Sequence, residues 1–260
     1  MPSCESRECG EPLELSILSE TWLTGSDGIQ EDRISAERSR AWIIDGATAL
    51  LAELGLPGES DAGWYATELD RALRRATTAN MGVKEALGAA LDHIDQVANG
   101  LVGSELERFP SAAVLIVDAT RSGTEVLTLA DCHALIKTVD GTITHVGPEE
   151  SNDQNVPVEM ATARRRQRNT PAGVWVARRE SAAVNHAVHL QLPPASRILL
   201  ATDGAWRVLA LRLVEDHAAF LSAFSAQSSA DLLLQKVRDS DELHYGHWDD
   251  ATAGVFRTPL

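Results

Sequence analysis

The sequence is poor in aromatic residues, in cysteines and in positive charge. Aromatic side chains make up 5% of the 260 residues, and the three cysteines (Cys4, Cys9 and Cys132) are too few for a disulfide framework. The chain carries 23 Lys and Arg against 38 Asp and Glu, which gives a formal net charge of −15. A field of that sign repels DNA and anionic lipid surfaces. These shortages argue against a disulfide-stapled secreted domain, and we expect no nucleic-acid partner.

Long apolar runs are also missing. The longest buried-looking run covers residues 112–117, far short of the roughly 18 residues that a membrane-spanning helix requires. The first twelve residues are polar and lack the apolar stretch of a signal peptide. We therefore expect a cytoplasmic, monomeric protein with no membrane partner. Its predicted organisation is a polar N-terminal tail over residues 1–12 and a single domain over residues 13–260.

The hydrophobic pattern predicts strands and helices in separate runs. Short apolar or alternating segments indicate about eight strands, among them residues 41–44, 112–118, 174–177, 198–202 and 252–256. Apolar stripes at helical spacing predict helices over residues 59–77, 83–97, 208–224 and 230–238. Strands in runs followed by helices in runs are typical of an α+β protein with antiparallel sheets. The chain has no Gly-rich phosphate loop of the common kinds, which argues against a nucleotide-binding α/β fold.

Acidic residues stand at the ends of the predicted strands. The four clusters are Glu31-Asp32, Asp45-Gly46, Asp203-Gly204 and Asp249-Asp250. Carboxylate and carbonyl oxygens are the ligands that hard divalent cations prefer. A single Asp-Gly pair is usually only a turn, as we expect for Asp140-Gly141. Four such clusters at the rim of a sheet nevertheless predict a Mg or Mn site.

Five motifs in this order resemble those of the protein phosphatase 2C family, the metal-dependent Ser/Thr phosphatases. They are IQEDR, WIIDGAT, SAAVLIVD with LTLADCHALI, RILLATDGAW and DDATAGVF, and the resemblance covers about residues 13–257. It implies a four-layer α-β-β-α sandwich, in which two antiparallel sheets carry helix pairs on their outer faces. It also implies a bacterial-type enzyme that removes phosphate from serine or threonine of a phosphoprotein substrate.

The resemblance further implies a centre of two Mn or Mg ions. Its ligands would be Asp45, the Gly46 carbonyl, Asp203 and Asp249, with Glu31 and Asp32 acting through bound water and Asp250 supporting Asp249. In this family a hydroxide that bridges the two metals attacks phosphorus in line, which needs no covalent phosphoenzyme. Asp45, Asp203 and Asp249 would then be catalytic through metal-bound water.

The sequence departs from the family pattern at three places. Ala47 stands where many members carry a His after Asp-Gly, and no Arg precedes Glu31-Asp32 to hold phosphate. Asp131 occupies one position of the family's weaker third metal site, but Arg207 replaces the second, so that site is incomplete. We expect Arg207 either to contact the substrate phosphate or to pair with Asp131.

Two other interpretations of the sequence remain open. The missing His and Arg favour a divergent pseudophosphatase that binds a partner without turnover, and no sequence feature excludes a metallohydrolase acting on a small phosphoester. The basic run RRRQR at residues 164–168 predicts a solvated basic face, with contact to a phosphorylated peptide as the alternative. Residues 147–168 lie where the family's variable substrate-contacting flap lies, so specificity is expected there.

Overall fold

A computed structural model describes residues 13–148 and 158–260. Ten strands in this part of the chain form two five-stranded antiparallel sheets. In spatial order the first sheet contains β1 (Ser16–Leu23), β10 (Ala251–Arg257), β9 (Ala195–Ala201), β6 (His133–Thr138) and β7 (Ile143–Val146). The second contains β2 (Arg33–Glu37), β3 (Arg40–Gly46), β4 (Ala112–Ala119), β5 (Thr124–Leu129) and β8 (Val188–Leu192).

Helices cover the outer face of each sheet. They are α1 (Asp61–Thr78), α2 (Val83–Val102), α3 (Val158–Arg166), α4 (Asp203–Ala210), α5 (His217–Phe224) and α6 (Gln227–Tyr245), with a 3-10 helix at Ser181–His186. The pair α1 and α2 packs on β2, β3, β4 and β5, whereas α4, α5 and α6 pack around β1, β9 and β10. None of the helices in these residues combines the length and apolar character needed to cross a bilayer.

Strand β3 shows how the layers are built. Successive side chains of a strand point to opposite faces. Trp42 and Ile44 therefore enter the core beneath α1 and α2, while Ala41 and Ile43 enter the core between the two sheets. All four side chains are fully buried. Burial on both faces explains why this strand is a continuous apolar run and not an alternating one.

The observed architecture confirms the predicted α+β sandwich of two antiparallel sheets flanked by helices. Two element predictions were wrong, and two strands were missed. Residues 174–177 form no strand, because only Ala177 bridges to Ala112. The predicted helix over residues 208–224 is two helices, α4 and α5, and strands β2 and β8 were missed. The polar tail predicted over residues 1–12 lies outside the described residues.

Candidate active site

The acidic clusters meet at one end of the sandwich. Asp45 ends β3 in one sheet, while Asp203 follows β9 and Asp249 precedes β10 in the other. Asp32 lies just before β2, the neighbour of β3. These carboxylates repel one another electrostatically, and Asp131 in the turn between β5 and β6 adds to the repulsion. The structure thus brings together the residues that the sequence placed at strand ends.

Two glycines allow the backbones at this end to approach closely. A Cβ added at Gly46 would lie 2.5 Å from the Glu31 carbonyl oxygen, and one added at Gly204 would lie 2.0 Å from the Asp250 carbonyl oxygen. Both distances are far below van der Waals contact, so no larger residue fits without displacing the backbone. Each glycine follows a candidate ligand and holds it against the opposing acidic segment.

Asp250 fixes the loop that precedes β2. Its Oδ1 accepts a hydrogen bond from the Gly25 backbone N–H and its Oδ2 accepts one from the Glu31 backbone N–H, both at 2.5 Å. The Asp250 N–H in turn donates to Asp249 Oδ1 at 2.9 Å. Burial raises the pKa of Asp250, and these backbone donors oppose the rise. The predicted support of Asp249 by Asp250 is therefore made through the backbone.

Asp32 is the most constrained carboxylate of the cluster. The residue is only 3% exposed. Its Oδ2 is buried and has no hydrogen-bond partner among the described residues. Burial raises the Asp32 pKa well above its ordinary value, with the Asp250 charge as the second cause. A buried carboxylate oxygen without a donor is unfavourable unless a cation, a water molecule or a proton satisfies it.

The other cluster carboxylates also hold their protons more tightly than usual. Burial raises the pKa of Asp45 well above its ordinary value, followed by the charges of Asp32, Asp203 and Asp249. Asp203 and Asp249 stay open to solvent at the rim, but the surrounding protein atoms displace enough water to raise both pKa values. For Asp203 the pKa reaches about 7, with the Asp249 charge as the second cause. Negative charge is therefore in excess here.

Glu31 faces a different set of partners. Its two carboxylate oxygens accept hydrogen bonds from the Ser60 hydroxyl at 2.6 Å and from the Thr48 hydroxyl at 2.7 Å. Burial raises its pKa, and these two hydroxyls oppose the rise. Ser60 also begins α1, where its hydroxyl accepts the Gly63 N–H at 3.0 Å. Glu31 thus ties the site to the start of α1, and its predicted action through bound water stays a prediction.

The donor set suits hard divalent cations. Within residues 13–148 and 158–260, no three His, Cys, Asp or Glu side chains are drawn together tightly enough to form a coordination shell. The cluster nevertheless offers only oxygen ligands, an unsatisfied buried oxygen on Asp32 and a mutual repulsion that cations would remove. All three features fit Mg²⁺ or Mn²⁺. The predicted ligands therefore match the chemistry of the group that the resemblance implies.

The predicted pairing of Arg207 with Asp131 is wrong. Arg207 Nε donates to Asp241 Oδ2 of α6 at 2.9 Å, and its Nη2 bonds the other oxygen of the same carboxylate. The guanidinium also lies 5.6 Å from the centre of the Tyr245 ring. Because Asp241 engages two nitrogens of the fork, Arg207 faces α6, and its predicted phosphate contact gains no support from this geometry.

The prediction of a solvated face for the basic run at residues 164–168 is wrong for two of its arginines. Arg165 is only 4% exposed and its Nη1 donates to the Thr48 carbonyl at 2.8 Å. Arg168 is half-buried, and its Nη1 donates to the Ser111 hydroxyl at 2.6 Å. Arg166 does fit the prediction, since it is exposed on the surface. Arg168 lies in the turn after α3, so the local pattern of residues 164–168 gave no signal for the burial of these two side chains.

Comparison by sequence and by structure gives different results. No family sequence model matches the chain, and no curated protein matches it. The serine/threonine phosphatase PstP/Ppp of Mycobacterium tuberculosis matches in structure with a TM-score of 0.61 and 14% identity, over 95% of this chain and 99% of that one. Stp1 of Staphylococcus aureus, also a serine/threonine phosphatase, matches with a TM-score of 0.60 and 14% identity, over 100% of both chains.

A further matching structure is the catalytic domain of PstP in complex with two manganese ions. It has a TM-score of 0.60 and 15% identity and covers 95% of this chain and 99% of that one. At such low identity a structural match shows a shared fold. The chain therefore has the two-sheet fold of bacterial serine/threonine phosphatases of the protein phosphatase 2C type.

Proposed function

We propose that this chain is a metal-dependent protein phosphatase that hydrolyses phosphoserine and phosphothreonine. The observation that carries the proposal is the convergence of Asp32, Asp45, Asp203 and Asp249 at one end of the sandwich, with raised pKa values and one unsatisfied buried oxygen. Such a cluster costs free energy unless cations occupy it. The shared fold supports the same conclusion, because the matching structures are serine/threonine phosphatases and one of them is a complex with two manganese ions.

The residues divide into ligands and supports. Asp45, the Gly46 carbonyl, Asp203 and Asp249 would hold two Mn or Mg ions, and Glu31 and Asp32 would act through bound water. Bound there, the ions would supply Lewis acidity toward water and toward the phosphoryl oxygens. Asp250 holds the loop that carries Asp32, through the backbone N–H of Glu31. The rim position of Asp203 and Asp249 leaves the cluster open to a phosphorylated side chain of a protein substrate.

Ala47 affects how the leaving oxygen of the substrate receives a proton. Its methyl group can give no proton to the departing serine or threonine oxygen. General acid catalysis typically contributes 10²–10⁴-fold, so we expect turnover slower by roughly 10² than with an acid at that position. Solvent reaching the open rim would supply the proton instead.

The test is release of phosphate from a phosphothreonine peptide with manganese, with chelator, and with the variant Asp203→Ala. We expect turnover that needs manganese and that falls by at least about 10²-fold in the variant. Asp92→Ala, an exposed aspartate on α2, is the matched control and should leave turnover unchanged. No turnover despite bound manganese would overturn the proposal in favour of a partner-binding pseudophosphatase. Faster turnover of a small phosphoester than of the peptide would overturn the protein-substrate part.

A further inference from the structure

Two arginines lie against the segment where the sequence lacks its expected His. Arg165 Nη1 donates to the Thr48 carbonyl at 2.8 Å. Arg168 Nη1 donates to the Ser111 hydroxyl at 2.6 Å, and the Ser111 carbonyl accepts the Ala47 N–H at 3.0 Å. Residues 47–48 directly follow the candidate ligands Asp45 and Gly46. Both guanidinium groups are therefore placed beside the acidic cluster by α3 and the turn after it.

Neither arginine forms an ion pair with a described residue. No carboxylate of residues 13–148 or 158–260 lies within ion-pair distance of Arg165 or Arg168, which bond only a carbonyl and a hydroxyl. Two other buried arginines differ in this respect, because Arg178 pairs with Glu180 and Arg179 pairs with Asp95. Among the described residues, Arg178 and Arg179 therefore each contact a carboxylate, whereas the charges of Glu31 and Asp131 act on Arg165 and Arg168 only from beyond ion-pair distance.

Burying cations without a counter-ion is costly. Burial lowers the pKa of Arg165, and the charge of Arg178 adds to the effect. Burial likewise lowers the pKa of Arg168 to about 10, with the charge of Arg165 as the second cause. Each guanidinium therefore lies in surroundings that disfavour its positive charge. A dianion between them would remove this penalty and accept several charge-assisted hydrogen bonds.

We infer that Arg165 and Arg168 are the phosphoryl-binding residues of this chain. They hold the non-bridging oxygens of a phosphate monoester dianion beside Asp45, and they take the place of the arginine absent before Glu31-Asp32. The planar fork of Arg suits such oxygens better than the ammonium of Lys. This inference rests on the proposed function for the identity of the substrate, but the anion site itself does not depend on turnover.

The test compares Arg165→Gln and Arg168→Gln with the control Arg166→Gln. Arg166 lies between them in sequence but is exposed and pairs with Glu107 at 2.6 Å. With saturating manganese, we expect KM for the phosphothreonine peptide to rise roughly 10- to 100-fold in the first two variants, with a smaller fall in kcat. Calorimetry should show affinity for inorganic phosphate falling by a similar factor. Arg166→Gln should keep both quantities within about twofold of wild type.

Two more variants separate binding from a purely structural role. Ser111→Ala removes the hydroxyl that anchors Arg168 but keeps the charge, so KM should stay near the wild-type value. Arg168→Lys should recover part of the phosphate affinity. If Ser111→Ala raises KM as much as Arg168→Gln does and Arg168→Lys recovers no phosphate affinity, the arginine acts only through its bond to the Ser111 hydroxyl and the inference is overturned. These two variants also serve if Arg168→Gln does not fold, as judged by circular dichroism.

The outcomes distinguish this inference from the proposed function. Phosphate binding that depends on Arg168, without turnover of the peptide, would support the anion site and contradict the phosphatase. Turnover by wild type, with KM and phosphate affinity equal in Arg165→Gln, Arg168→Gln and Arg166→Gln, would overturn the anion site alone. A wild-type protein that binds no inorganic phosphate would also overturn it.

Discussion

At Gly204 the backbone lies so close to Asp250 that only glycine fits. An added Cβ would lie 2.0 Å from the Asp250 carbonyl oxygen, whereas a Cβ added at Gly88 on α2 would have no neighbour within 4 Å. We expect Gly204→Ala to lower the free energy of unfolding by about 2 kcal/mol or more, because the backbone must move. The same shift would separate Asp203 from Asp249 and weaken manganese binding.

The control substitution should have the opposite effect on the free energy of unfolding. Gly88→Ala should raise the free energy of unfolding by about 0.5–1 kcal/mol, since it restricts the unfolded chain and adds no clash. Urea denaturation of both variants measures the difference. A Gly204→Ala protein as stable as wild type would contradict the packing described at this turn.

Single residues also show what the sequence could predict. The positions of Asp45, Asp203 and Asp249 follow from strands that end in acidic residues, which is a local pattern. The partner of Arg207 does not follow, because Asp241 lies on another helix and the pairing depends on how α4 and α6 pack. The burial of Arg165 is likewise a tertiary contact, since it depends on α3 lying against residues 47–48.

At the scale of elements, the start of α1 is coupled to the site. Ser60 caps the helix through the Gly63 N–H and also donates to Glu31 Oε1. Ser60→Ala removes both bonds and leaves a buried carboxylate oxygen without a donor. We expect a loss of about 2–3 kcal/mol in the free energy of unfolding, compared with about 1 kcal/mol for a cap alone.

A second helix start provides the control for Ser60. Asp216 caps α5 by accepting the Ala219 N–H at 2.8 Å, and it is exposed and away from Glu31. Asp216→Ala should therefore cost only the cap and should leave manganese affinity unchanged. Chemical denaturation and metal titration of both variants make the comparison. Equal losses in the two variants would show that the bond between Ser60 and Glu31 adds nothing.

The success of element prediction depended on burial. Strands β3 and β4, buried on both faces, stand out as continuous apolar runs and were predicted within two residues of their bounds. Strands β2 and β8 are the two edges of the same sheet and are only partly buried. Their short segments contain no apolar run and no regular alternation of buried and exposed positions, which is why the sequence pattern missed them.

At the scale of the whole molecule, the burial of several carboxylates, with their mutual repulsion as the second cause, makes stability depend on pH. The folded, metal-free chain keeps a proton on Asp203 up to about pH 7, whereas an unfolded chain loses it near the ordinary value of 3.8. Asp32 and Asp45 shift in the same direction. The folded state therefore binds more protons than the unfolded state, so stability falls as pH rises through this window.

One histidine acts in the opposite direction at lower pH. Burial lowers the pKa of His133 from 6.5 to about 3. Below about pH 6.5 the unfolded state therefore binds a proton on this histidine that the folded state does not bind, which destabilises the folded state. Thermal unfolding should therefore be followed from about pH 7 to about pH 8.5, where His133 contributes little and the buried Cys132, whose pKa is also raised, acts in the same direction as the carboxylates. With chelator the melting temperature should fall across this range, and saturating manganese should flatten the dependence. A melting temperature that rises with pH in chelator would contradict the account.

Calorimetric titration with manganese tests most directly whether the converging carboxylates bind divalent cations. We expect two bound ions per wild-type chain, loss of at least one in Asp203→Ala, and no change in Asp92→Ala. A wild-type chain that binds no manganese, or an Asp203→Ala chain that binds it as wild type does, would contradict this expectation.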